Sequence, residues 1–129
     1  MNRAELNRLH TKVFEAASDV FSEIGPGLDD QIYKSCLMHE LRLKGLMFKR
    51  DVAFPVFYKD IKTNHEIKAE ILVENQMFIE LTNSPEITLL MISRLQSKLK
   101  IAGKRLGVII SFNVNNITEG YRKVVVNQP

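Results

Sequence analysis

The chain has one cysteine, Cys36, so it cannot form an internal disulfide, and such usage suits a reducing compartment. It has no tryptophan, and its three tyrosines, Tyr33, Tyr58 and Tyr121, are scattered. No aromatic platform for stacking bases is therefore evident. No apolar run approaches the roughly 20 residues of a membrane span. The opening segment MNRAELNRLHTK lacks the apolar stretch of a signal peptide, so a cytoplasmic protein without membrane contact is the expectation. Linkers, repeats and low-complexity segments are lacking too, and the 129 residues are expected to form one domain, 1–129.

Several catalytic classes lack their signatures. Gly25-Pro26-Gly27 does not fit the phosphate loop G-x-x-x-x-G-K-[ST], and no nucleophile elbow occurs. Cys36 and His39 have a helical spacing that zinc ligands use, but His10 and His65 are the only other imidazoles, and two ligands are too few. Cys36 also falls on an apolar helical stripe, whereas a nucleophilic thiolate needs an exposed, electropositive site. Neither charge sign dominates: the net charge is +3 and the pI about 9.1. That balance permits a nucleic-acid partner, and many ordinary domains share it.

What is present is periodicity. Leu6, Leu9, Val13, Ala17, Val20, Phe21 and Ile24 recur at spacings of three and four, predicting a helix that ends at Gly25-Pro26-Gly27. A second helix is expected over 29–44, with Ile32, Cys36, Leu37 and Leu41 on its apolar face and Asp29 and Asp30 at its positive end. A strand over 47–58 contains Pro55, which points to an edge or a bulge. Residues 59–64 read as a turn. Residues 67–73 and 76–82 form a hairpin around Asn75-Gln76. Ser84 and Pro85 read as the start of a third helix, with Ile87, Leu90, Met91, Leu95, Leu99 and Ala102 buried. The apolar run 106–112 suits a strand buried on both faces. A loop or short helix and a last strand, 121–126, follow. The order ααβββαββ implies an α/β fold, a mixed sheet flanked by helices.

The hairpin carries an anomaly. Strand alternation places Glu66, Lys68, Glu70 and Leu72 on one face, opposite Ile67, Ala69, Ile71 and Val73. It also places Phe78, Glu80 and Thr82 together, opposite Met77, Ile79 and Leu81. Glu70 and Glu80 can then meet on one side of the sheet. Two adjacent carboxylates repel unless a cation lies between them, and Mg²⁺ is the usual one. A glutamate in a strand most often lies on a solvated face, so spacing alone does not make this a metal site.

The segments IGPGLDDQIYKSCLMHELRLKGL, FPVFYKD, AEILVENQMFIELTN, GVIISFN and TEGYRKVVV span about 12–126. In this order they resemble the GxxExxY family of the PD-(D/E)XK nuclease-like superfamily. The resemblance implies a restriction-endonuclease-like fold. It also implies that active members hold Mg²⁺ on an aspartate of one central strand and the glutamate of a Glu-x-Lys on the next. The lysine then helps activate the water that attacks a phosphodiester.

Against that pattern, Gly27 and Tyr33 match and Asp30 replaces the motif glutamate. Glu70 stands at the aspartate position, Glu80 matches, and Thr82 stands at the lysine position. On the third helix Met91, Arg94 and Lys98 stand where the family usually has histidine, glutamine and tyrosine. Two expectations follow. Arg94 and Lys98 neutralise Glu70, Glu80 and Asp30 in an ion cluster that replaces the metal, so the site is degenerate and its surface is kept for binding or assembly; no cofactor is then needed. The alternative is a divergent Mg²⁺-dependent nuclease in which Lys98 or Lys68 is a relocated catalytic lysine. Nucleic acid is the partner implied, with Lys100, Lys104 and Arg105, joined by Arg42, Lys44, Lys49 and Arg50, as a basic surface. A solvated helix face is the commoner explanation of such a run. A protein-interaction module without a nucleic-acid role, as a homodimer, is the third reading.

Overall fold

The computed structural model describes residues 1–127. Helix α1, Arg3–Ile24, begins with a capping box in which Asn2 and Glu5 bond each other's backbone amides. It buries Leu9, Val13, Ala16, Ala17 and Val20. Its end is set by Gly25, whose φ of 83° is left-handed and whose N–H reaches Phe21 O.

Helix α2, Asp30–Leu43, is capped by Asp29 and buries Tyr33, Leu37, Met38 and Leu41. The expected face was off by one position at its start: Ile32 is exposed and Tyr33 is buried. The tyrosine wins the interior place because its ring stacks on Phe112 at 4.4 Å. Its hydroxyl donates to Gly25 O at 2.6 Å and accepts from Leu28 N at 3.1 Å, so the polar tip is satisfied.

Strands β1 (Phe48–Tyr58), β2 (Ile61–Val73), β3 (Met77–Thr82), β4 (Leu106–Ser111) and β5 (Tyr121–Val125) form one sheet in that order. Only the β3–β4 pair is parallel. Helix α3, Leu89–Ala102, makes the crossover that this pair requires. A 3₁₀ turn, Ile117–Gly120, precedes β5. The order is the expected one, and the fold is α/β. No helix among the described residues is long and apolar enough to cross a membrane.

Two cores sandwich the sheet. Helices α1 and α2 pack on Ile71, Val73, Met77, Ile79, Val108 and Ile110. Helix α3 packs through Leu95 and Leu99 on Ala69, Leu72, Phe78 and Ile109. Gly107 lets Leu95 approach β4, since a Cβ there would lie 3.0 Å from its Cδ2.

Three boundaries differ from expectation. The segment 59–64 is a turn only at Lys59 and Asp60, both at positive φ, and β2 already starts at Ile61. Its exposed polar residues look like loop in sequence, but the β1–β2 ladder extends through them. The next turn centres on Glu74-Asn75, with φ of 51° and 58°, one residue earlier than read. Helix α3 starts four residues after Pro85, with Thr88 as its cap, because the Ser84 hydroxyl is spent on Glu86 O at 2.6 Å. Leu90 is consequently exposed at the helix start.

Candidate functional site

The carboxylates sit where the central strands change character. The β2–β3 ladder runs Val73↔Met77, Leu72↔Phe78 and Ile71↔Ile79. Beyond it, Glu70 Oε1 accepts the Leu81 N–H at 2.8 Å, so a side chain does the work of the next ladder bond. Satisfying a backbone amide with a carboxylate fixes the Glu70 side chain against β3.

Strict alternation fails at this level. Ile71 and Val73 face α1 and α2, yet Ala69 and Ile67 face α3 beside Leu72. Strand β1 switches with it: Phe48 packs on the first core, Val52 and Phe54 on the second. Between them Asp51, flanked by the pairs Arg50↔Ile71 and Val52↔Ala69, has a φ of 51°. A left-handed residue turns the pleat, and the paired strand turns with it so that the ladder survives on either side. The expected four-residue face, Glu66 to Leu72, is thus interrupted at Glu70.

Glu80 points to the α3 face, and its Oε1 accepts from Lys98 Nζ at 2.7 Å. The same ammonium donates to Lys68 O at 3.0 Å. The side chain of Lys68 itself is exposed and makes no ion pair among the described residues. Burial raises the Glu80 pKa above its ordinary value; Lys98 pulls it back through its hydrogen bond and charge, Glu70 pushes it up, and Lys34 lowers it. These four groups therefore form one electrostatic cluster.

Lys34 was missed in the sequence. It projects from α2 with its side chain 13% exposed, 3.7 Å from Glu70 Oε2 and 4.0 Å from Asp51 Oδ1. The signal was available, since Asp30 and Lys34 are four apart on one helix and share a face. Asp30 makes no ion pair among the described residues, and its pKa is raised by burial and by Asp29. The pairing of Arg94 with the carboxylates is not made either. Arg94 lines a pocket of about 230 Å³ with Glu80, Thr82, Met91 and Lys98, but it is exposed and joins no ion pair among the described residues. Thr82 accepts from Ser84 N at 3.2 Å, a local turn bond. Gly27 has a φ of 89° in the loop that Tyr33 secures. Lys100 lies near the end of α3, and Lys104 and Arg105 lead into β4 at the sheet end opposite Thr82.

The donor set does not fit Mg²⁺ as arranged. Among the described residues no group of three or more His, Cys, Asp and Glu is placed to hold a metal. Glu70 has one oxygen on a backbone amide and the other facing Lys34, and Glu80 has Lys98 on one oxygen. Mg²⁺ needs only one or two carboxylates, with water filling the rest of its shell, so what stands against it here is that an amide and two ammonium groups already face three of the four oxygens.

Three helices and a five-stranded mixed sheet, with carboxylates on adjacent central strands, are consistent with a restriction-endonuclease-like fold. A family model of the PD-(D/E)XK nuclease superfamily matches residues 7–124, and the chain belongs to that superfamily. No curated protein and no solved structure matches it.

Proposed function

We propose that this is a nuclease-fold domain of the GxxExxY type whose metal site has become an internal ion cluster, leaving it catalytically inactive and suited to binding or assembly. The observation that carries this reading is the pairing of each carboxylate with a lysine from a different helix, Glu70 with Lys34 and Glu80 with Lys98. Each glutamate thus faces an ammonium without a metal, and Lys34 is shared with Asp51 at 4.0 Å. Thr82 cannot supply the ammonium of a Glu-x-Lys motif, and Lys98 is held by Glu80 and a carbonyl.

The test is calorimetric titration with Mg²⁺ and Mn²⁺, on the wild type and Glu80→Ala, followed by a nuclease assay under the same conditions. No binding and no cleavage are expected. One observation favours a second reading: Lys98 places an ammonium beside Glu80 in the pocket that Thr82 lines, as a relocated catalytic lysine would. Metal binding that Glu80→Ala abolishes, together with cleavage that Lys98→Ala abolishes, would replace the first reading with this one. Salt-dependent DNA binding would favour either over a module that contacts only protein.

A further inference from the structure

A second polar site lies at the sheet end opposite Thr82. A cleft of about 390 Å³ opens between the start of α1, the first residue of β4 and strand β5. Its cations are Arg3, Arg105 and Lys123, and among the described residues no carboxylate lines it. Leu106 forms its buried apolar floor, and the amides of Asn7 and Asn127 are on its wall.

The three cations come from three separate elements, so the tertiary fold, not a run of basic sequence, brings them together. Each keeps donors to spare. Arg105 uses part of its guanidinium on Met1 O. Lys123 gives one of its three N–H bonds to Asn7 Oδ1 at 3.2 Å. Arg3 forms no ion pair among the described residues. Three like charges around one cleft repel, and an anion between them removes that repulsion. Guanidinium forks suit the planar faces of a phosphate or carboxylate group, and a lysine adds a point charge.

The cleft is separate from the carboxylates. Leu106 packs with α1 and α2, the side from which Lys34 reaches Glu70, whereas Glu80 faces α3. Along the sheet, Leu106 pairs with Met77 and Ile109 with Glu80, so the two levels differ by three residues, roughly 10 Å.

We infer that this cleft is an oxyanion site for a phosphate group, carried either by a nucleotide or by a polynucleotide backbone. It does not depend on whether the carboxylate cluster is active.

The test is an amide-resolved NMR titration of the full chain with inorganic phosphate, with ATP and with a short DNA duplex in turn. Phosphate is expected to shift the amides of Asn7, Leu106 and Lys123. Arg105→Gln should weaken binding about tenfold, the size of one charge-assisted contact, and Lys123→Gln should weaken it as well. Both variants keep a polar group, and an otherwise unchanged amide spectrum verifies their fold. ATP shifting these amides while the duplex does not assigns a nucleotide. The duplex shifting them, with a response that fades with salt, assigns a backbone phosphate. No shift at the cleft with any probe, or equal affinity in both variants, would overturn the inference.

Discussion

Lys98 Nζ lies 2.7 Å from Glu80 Oε1, and the side chain of Glu80 is 21% exposed against 33% for Lys98. An ammonium from a helix thus answers a carboxylate on a central strand that burial would otherwise leave costly. Removing the lysine leaves that charge uncompensated. Lys98→Ala should lose about 2 kcal/mol, below the 3–5 kcal/mol of a fully buried pair because solvent reaches Lys98. Urea unfolding at neutral pH measures it. A loss no larger than that of an exposed alanine substitution would mean that the pair does not hold the site together.

The same pair predicts a pH dependence. Glu80 has a folded pKa raised above its ordinary value, with burial the main cause. Its contribution to stability is full below the unfolded value near 4.5 and is lost as pH rises through the folded pKa. Glu80→Gln cannot titrate. The stability of the wild type relative to Glu80→Gln should therefore decline across that interval, read from urea midpoints at successive pH values. A relative gain with rising pH would contradict the assigned burial.

Tyr33→Phe keeps the ring on Phe112 and deletes the hydroxyl that holds Gly25 O and Leu28 N. The expected cost is about 1–2 kcal/mol. Hydrogen exchange at the Leu28 amide should accelerate while that in the centre of α2 changes little. Equal acceleration throughout α2 would show that the hydroxyl acts on the helix and not on the loop.

Gly120→Ala should be among the most damaging single substitutions. A Cβ at this position would lie 1.9 Å from Ser111 O and 2.9 Å from Val114 Cγ2. The oxygen belongs to the backbone of β4 and cannot turn aside, so the 3₁₀ turn must move. A loss on the order of 3 kcal/mol is expected from overpacking, seen as a lower urea midpoint. Near-wild-type stability would mean that this close approach is relieved in solution.

Much of the fold was legible because its signals are local. The stripe from Leu9 to Val20, the stop at Gly25 and the apolar run from Leu106 to Ile110 in β4 each report their own surroundings. The start of α3 was misread because serine caps and serine turns look alike until the hydroxyl's partner is known: Ser84 bonds Glu86, and Thr88 caps the helix. The face pattern of β2 failed at Glu70 because its cause, the left-handed Asp51, lies on another strand.

The amino-acid sequence by itself determined the order of elements and the α/β class, since both rest on residue type and short-range spacing. The tertiary structure alone decided which cation meets which carboxylate. Arg94 and Lys98 are four apart on one helix, yet among the described residues only Lys98 of the two forms an ion pair, and Lys34 reaches Glu70 from a helix on the other side of the sheet. Long side chains carry their charge several bonds from the backbone, so their partners are set by how helices seat on the sheet. The cleft of Arg3, Arg105 and Lys123 has the same origin, for more than a hundred residues separate its ends in the chain and the fold closes that gap.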